Sequence, residues 1–310
     1  MTGQENQAVV WQFCDGKAGH ERQSAGLINA LRATQKIATF RLETADAHVS
    51  AFQILRRLFP VADKLPDPDF ILGAGRACQL PMLLAQRARG GRTIYLMKPA
   101  LPSRLFDLCL IPRHDGVKPH PHIIATDGVI NNIVASGLAK EQGLILIGGP
   151  SSHYRWDRAS LLRQIKKIIA DTPDKEWVIA DSRRTPNTTA ESLRQLHSAS
   201  VTIMHHQNSP AGWLEDRFAK SNCIWVTGDS MSMLFESLSC GAGVGILDVP
   251  IKRKSRITDV VNDLLSRGMV TSFANWNGGL PSSNNRPFTE AARCASLITS
   301  RWSNRDFEAR

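Results

Sequence analysis

The stretch that most constrains what this chain can fold into is Asn222–Asp248, NCIWVTGDSMSMLFESLSCGAGVGILD, where an apolar run, a polar turn, a short helix and a second apolar run follow without interruption. Cys223–Val226 and Val244–Leu247 are short, continuous apolar runs of the kind that buried parallel strands use. Gly241 and Gly243 punctuate the passage into the second run. Asp229, Ser230 and Ser232 stand where the helix begins. The first amides of a helix lack internal partners and its dipole favours anions, so this turn can hold a phosphate. Glu236 lies one helical turn beyond Ser232, at i,i+4 on the same face, where it can accept hydrogen bonds from a ribose. The plain alternative is that Asp229 or Ser230 caps the helix and Glu236 is solvated.

The same alternation recurs along the chain. Ala8–Phe13 reads as a strand that runs into Asp15, Gly16, Lys17, Ala18, Gly19 and His20, and a helix follows through Ala25, Leu27, Ile28 and Leu31. Strands are expected at 37–42, 70–72, 93–97 and 108–111, with helices over 51–59 and from Gly75 to about Arg89. Residues 127–139 read as a polar, helical connection, and a new strand at 144–147 leads into Gly148, Gly149, Pro150, Ser151 and Ser152. Strands at 177–180 and 201–204 alternate with helices at 158–170, 189–197 and 212–219, and residues 278–286 read as a loop before a closing helix at 291–302. The pattern predicts an α/β protein of two Rossmann-like domains facing across a cleft, residues 1–138 and 139–287, with residues 288–310 completing the first.

With 310 residues, 42% of them hydrophobic, the chain is long enough for two cores. Lys and Arg exceed Asp and Glu by 38 − 28, a net +10 that suits an anionic ligand, an acidic membrane surface or nucleic acid. The charge is dispersed and lacks interleaved aromatics, which disfavours nucleic acid. Cys14, Cys78, Cys109, Cys223, Cys240 and Cys294 form no CxxC pair and read as reduced core thiols, so a reducing, cytoplasmic compartment is expected. No apolar run approaches the roughly 18 residues of a membrane span.

Candidate chemistry clusters at predicted strand ends. In the first half these residues are Asp15, Lys17 and His20, then Gly73–Arg76, then Arg113, His114 and Asp115. In the second they are Gly148–Ser152, Ser182–Thr185 with Arg183 and Arg184, Asn208, and the turn at Asp229–Glu236. Glycines let a backbone approach a phosphate, but tight packing calls for them too. Guanidinium forks suit phosphate oxygens, although Arg183 and Arg184 also fit an exposed turn. His114, His120 and His122 lie among prolines without a recognised ligand spacing, so no metal site is expected there. His205 and His206 would point to opposite faces of an extended strand, which argues against a joint role. The basic run Lys252, Arg253, Lys254 and Arg256 can touch phosphate or an acidic membrane, or stand as a solvated loop. No GxSxG, HExxH or GK[ST] motif is present, nor a complete GxGxxG with its ribose acid.

The stretches DGKAGHERQSAGL (15–27), LGAGR (72–76), FDLCLIPRHD (106–115), LIGGPS (146–151), DSRRTP (181–186) and VTGDSMSMLFESLSCG (226–241) together resemble the ELM1 family, also called mitochondrial fission ELM1-like. Its bacterial members are classed as candidate glycosyltransferases. The resemblance implies a GT-B-like fold, a nucleotide-sugar bound on the second domain and no metal or other cofactor. It implies a donor site at Asp229, Ser230, Ser232 and Glu236, with Gly148, Gly149 and Ser151 facing the diphosphate and Arg183 assisting. On the acceptor side it implies Asp15, Lys17, Gly19 and His20, with Arg76, His114 and Asp115 nearby and His20 or Asp15 as base. The chain departs from its relatives at Gly241–Val244, GAGV where GKPV is frequent, and at Ser209, where NP is commoner than NS.

The expected activity is transfer of a sugar from a nucleotide-sugar to an anionic cell-envelope lipid or polysaccharide, by a cytoplasmic protein in peripheral contact with an acidic inner membrane. The alternatives are a nucleotide-sugar epimerase or hydrolase, and a non-catalytic membrane-associated scaffold that keeps the fold.

Overall fold

The computed structural model describes residues 7–47, 50–135, 141–281 and 288–302. The chain divides into two compact units, Met1–Asn132 with Thr289–Arg310, and Ile133–Phe288. The domain boundary expected at 138/139 lies outside the described residues, as do 282–286 of the expected loop and the end of the closing segment beyond 302.

The first unit holds β1 (Ala8–Cys14), β2 (Ile37–Glu43), β3 (Phe70–Ala74), β4 (Arg92–Leu96), β5 (Leu108–Pro112) and β6 (Ile123–Thr126), parallel throughout and ordered β2-β1-β3-β4-β5-β6. Helices α1 (Ala18–Arg32), α2 (Ala51–Arg56) and α3 (Gln79–Arg89) connect the early strands. The second unit holds β7 (Gln142–Leu146), β8 (Trp177–Ala180), β9 (Val201–Met204), β10 (Ser221–Thr227), β11 (Gly243–Leu247) and β12 (Thr271–Ser272), also parallel and ordered β12-β11-β10-β7-β8-β9. Its helices are α4 (Arg158–Ala170), α5 (Asn187–Arg194), α6 (Trp213–Lys220), α7 (Met231–Ser239) and α8 (Arg256–Ser266), and the closing helix is α9 (Glu290–Arg301).

Both units are Rossmann-like, and each sheet has one place where the winding reverses. In the first the chain steps outward from β1 to β2 and then returns to the other side of β1 with β3. In the second it runs β7, β8, β9 and then returns to the other side of β7 with β10. Connections leave neighbouring strands in opposite directions at such points and open a crevice at the carboxyl ends, where ligands of open α/β sheets bind.

Pleating explains the two faces of the first sheet. Val10, Leu72, Leu108 and Leu110 point into a core shared with Leu27, Ile28 and Leu31 of α1 and with Cys294, Ala295 and Ile298 of α9. Trp11, Phe13, Ile71, Tyr95 and Cys109 point the other way, onto Met82 and Ala85 of α3. The closing helix is thus part of the first unit's core. Its Arg293 donates to the Ala125 carbonyl at 2.8 Å, and its Glu290 accepts from the Asp127 amide at 3.1 Å.

The helix expected over 127–139 is absent from its described part, which is irregular from Asp127 to Ala135. Ile130 is drawn into the α1–α9 core, and the main chain at Asn131 lies so close to α1 that a Cβ on Gly26 would stand 2.2 Å from the Asn131 carbonyl oxygen. α2 ends at Arg56, before the expected 59, because Arg57 turns left-handed at φ 54. β6, β12 and α8 have no counterpart in the sequence-based expectations.

Two glycines of the second sheet lie under tryptophan rings. A Cβ on Gly143 would meet the Trp177 ring at 2.4 Å, and one on Gly245 the Trp225 ring at 2.3 Å. Both rings are fully enclosed, so neither has room to withdraw. Gly245→Ala is therefore expected to destabilise the second unit by about 1–3 kcal/mol, read as a lower urea midpoint with unchanged slope.

The six cysteines are free and buried. Burial pushes the Cys14 thiol up to about 11 and those of Cys78, Cys109, Cys223 and Cys294 up to about 12, which keeps them protonated and poor nucleophiles or ligands. No helix among the described residues is long and apolar enough to cross a membrane.

Candidate functional site

At the first switch point the carboxyl end of β1 delivers Asp15 and the first turn of α1 delivers His20. Asp15 Oδ2 lies 2.8 Å from His20 Nδ1, and Asp15 Oδ1 accepts from the Lys17 amide at 3.2 Å. The Asp15 side chain is 1% exposed and that of His20 22%. A carboxylate only accepts, so Nδ1 carries a proton, and in the neutral imidazole Nε2 is then the atom with the free lone pair. This pairing favours one tautomer, the kind of orientation a general base requires.

The neighbouring strand completes the arrangement. Gly75, after β3, has φ +92, and a Cβ there would lie 2.4 Å from both Asp15 Oδ2 and His20 Nδ1. The glycine of LGAGR thus serves the dyad through its missing side chain. Arg76 follows it and is exposed. Lys17 reaches Asp15 only loosely, at 3.9 Å, and Gly19 sits in the first turn of α1 with open space where a Cβ would be. His114 and Asp115 form a 3-10 turn after β5, where the Asp115 carbonyl accepts from Lys98 at 3.0 Å. β5 is two strands removed from β3, so that pair stands apart from the dyad along the sheet edge.

The second switch point joins Gly148 and Gly149, after β7, to Thr227, the last residue of β10, and Asp229 just beyond it. The Gly148 amide donates to Thr227 Oγ1 at 2.8 Å and the Gly149 amide to Asp229 Oδ2 at 3.1 Å. Arg184 Nη1 lies 2.7 Å from the same Asp229 oxygen, and Thr185 Oγ1 donates to the Gly148 carbonyl at 2.6 Å. Cβ atoms on the two glycines would stand 2.4 Å from Asp229 Oδ2 and 2.0 Å from the Arg184 carbonyl oxygen. Both glycine amides are committed within the protein, so here the glycines permit close approach of loops.

Asp229 is fully enclosed, and its second oxygen, Oδ1, is buried without a hydrogen-bond partner among the described residues. Such an acceptor favours a hydroxyl over a phosphate. At α7 the N-cap Ser230 makes no side-chain cap bond and the first turn contains Ser232, an arrangement whose amides and dipole suit an anion. Ser151 Oγ accepts from the His153 and Tyr154 amides, at 3.2 and 3.1 Å. Glu236 is buried, at 2% exposure, which removes the reading of a solvated surface acid. Arg183 is exposed; the guanidinium that enters the cluster is that of Arg184.

Tyr154 was not anticipated by its sequence context. It is buried beside Gly228, and burial, with the Asp229 charge adding to it, pushes its hydroxyl up to about 12. With Asp248 it lines a hollow of about 130 Å³ next to the turn. A larger hollow of about 630 Å³, lined by Arg113, Val117, Pro119, His120, Pro121 and Ile123, lies at the β5–β6 edge away from both clusters. The basic residues Lys252, Arg253 and Lys254 are exposed ahead of α8, and Arg256, also exposed, opens it.

The expectation that His205 and His206 diverge is corrected by the structure. β9 ends at Met204 and His206 opens a 3-10 turn, so the alternation of an extended strand does not apply. Both imidazoles converge on Asp181, with ring centroids 4.3 Å apart.

Comparison with known proteins agrees with the architecture. A UDP-N-acetylglucosamine 2-epimerase superposes with a TM-score of 0.57 at 15% identity, covering 96% of each chain. The UDP-GlcNAc 2-epimerase of Neisseria meningitidis, solved bound to UDP-GlcNAc, gives 0.53 at 11% identity over 96% of this chain and 99% of that one. At these identities the likeness is one of fold, the GT-B-like fold with its two Rossmann-like units. The uncharacterized protein RP120 of Rickettsia prowazekii (strain Madrid E) is 26% identical, over 93% of this chain and 97% of its own length. Residues 18–302 match the family described as Mitochondrial fission ELM1, and the six motifs identified above fall in or across that span. The chain belongs to the mitochondrial fission ELM1 family.

Proposed function

We propose that this protein is a glycosyltransferase that takes a sugar from a nucleotide-sugar to a hydroxyl of an anionic cell-envelope acceptor. The observation that carries the reading is the Asp15–His20 pair at a sheet switch point: a buried carboxylate holding a partly exposed imidazole in one tautomer. In the reaction the acceptor oxygen bonds to the anomeric carbon and the bond from that carbon to the diphosphate breaks. The acceptor proton goes to His20 Nε2, and a nucleoside diphosphate leaves.

The uncapped amides of α7 and the nearby guanidinium of Arg184 meet the charge that develops on the leaving diphosphate, and no metal is invoked. The buried Asp229 oxygen accepts from a donor hydroxyl. Glu236 takes the ribose, an assignment that rests on its place one turn into α7 and on the family resemblance. The net charge of +10 supports an acidic acceptor and peripheral contact with an acidic membrane on the cytoplasmic side.

A panel of nucleotide-sugars in a thermal-shift assay identifies the donor, and product analysis with and without envelope extracts then tests transfer. Glu236→Ala is expected to weaken donor binding about tenfold or more by isothermal titration, the loss of a charged hydrogen bond. Unchanged affinity removes the ribose role. A second reading, a nucleotide-sugar epimerase, draws support from the two solved neighbours described above, each an epimerase by name. It predicts an altered sugar when the donor is incubated alone, whereas transfer predicts turnover only once an acceptor is added.

A further inference from the structure

Asp181, His205 and His206 form a cluster that the proposed reaction does not use. Asp181 follows β8, and the two histidines follow β9, the edge strand beside it. Asp181 Oδ2 lies 2.5 Å from His205 Nδ1, and Oδ1 lies 2.9 Å from His206 Nδ1 while accepting from the His206 amide at 2.7 Å. The carboxylate is 4% exposed, and the imidazoles are 20% and 24% exposed. One nitrogen from each ring and one carboxylate oxygen lie within 4.8 Å of one another.

We infer that Asp181, His205 and His206 form a site for a divalent transition-metal ion of the zinc, cobalt or nickel kind. Two imidazole nitrogens and one carboxylate oxygen are ligands such ions prefer, whereas magnesium and calcium require mainly oxygen. A tetrahedral ion with bonds near 2.0–2.1 Å holds its ligand atoms about 3.3 Å apart, so the nitrogen–oxygen pairs at 2.5 and 2.9 Å open slightly and atoms up to 4.8 Å apart draw in, shifts of about 1.5 Å or less, to admit it. The partial exposure of both rings leaves room for water as the fourth ligand, and the buried carboxylate supplies the compensating charge. The chemistry is distinct from the thiols, which burial keeps protonated.

The ion would tie the end of the four-residue edge strand β9 to β8, next to the Ser182–Thr185 turn that carries Arg184. It therefore stabilises the second unit by mass action.

Zinc and magnesium are titrated calorimetrically into the chelator-treated full chain, its His205→Ala/His206→Ala variant and Asp181→Asn, with melting temperature followed in parallel. The parent is expected to bind one zinc with a Kd of about 1 μM or tighter, to show no heat with magnesium, and to melt higher with zinc. The double variant, folded by circular dichroism, is expected to lose about a hundredfold in affinity and the thermal shift. Cobalt in place of zinc should give the visible absorption of a tetrahedral nitrogen–oxygen site in the parent. The inference is overturned if the parent shows no heat up to roughly 100 μM zinc. It is equally overturned if parent and double variant bind zinc alike.

Discussion

Replacing His20 by Gln is expected to lower turnover by about 10²–10⁴-fold while the donor dissociation constant stays within about twofold of the parent value. The side chain keeps comparable length and a polar end, so Gly75 and Asp15 retain a neighbour of similar size. What disappears is an acceptor nitrogen of suitable basicity. The effect falls on the proton transfer, which concerns the acceptor hydroxyl, and not on the residues of the second unit that meet the donor. Steady-state rates with saturating donor, paired with titration of the donor alone, separate the two quantities. Equal losses in rate and donor affinity would mean that His20 holds the first unit's loops together and is no base.

Asp229→Asn should act differently: donor binding is lost, and the melting temperature of the second unit falls by roughly 4–8 °C, the equivalent of about 2 kcal/mol. Asp229 accepts from the Gly149 amide and pairs with Arg184 from a fully enclosed position. The amide of asparagine presents one oxygen in place of two, which leaves a donor facing either the Gly149 amide or the region of the unpartnered Oδ1. Arg184 is 43% exposed, so water compensates much of its lost pairing and the stability cost remains moderate. Because this carboxylate, beside the Gly148–Thr227 bond, ties the loops after β7 and β10 together, the loss reaches beyond the local bonds. Scanning calorimetry and donor titration measure both effects. A normal melting temperature with intact donor binding would remove Asp229 from the organising role given to it.

How much of this was legible in advance can be argued from particular residues. Cys223–Val226 and Val244–Leu247 are identifiable as buried strands because a parallel strand covered on both faces writes itself as a short apolar run, a local property. Asp15 and His20 are identifiable as a pair of interest because strand end and helix start lie five residues apart in one loop. The family resemblance extended this to the order of six motifs.

Other features depend on residues far away in sequence. The segment after Asp127 has helix-compatible composition, yet Ile130 is pulled into the core beneath α1, and Gly26, more than a hundred residues earlier, admits its main chain. Nothing local separates Arg183 from Arg184; the turn after β8 and the position of Asp229 choose the second. The reading of His205 and His206 failed through an assumed extension of β9 by two residues; once the strand ends at Met204, side-chain alternation no longer governs them.

Residue order alone therefore established the α/β class, the two-unit plan and the strand ends at which the candidate residues gather, since these follow from apolar periodicity and turn residues that neighbours in sequence express. The partners were established by strand order: β3 beside β1 brings Gly75 to Asp15 and His20, β10 beside β7 brings Asp229 to Gly149 and Arg184, and β9 beside β8 brings the histidines to Asp181. Which strands lie together is settled by the packing of whole cores, a long-range balance that no single stretch of sequence contains.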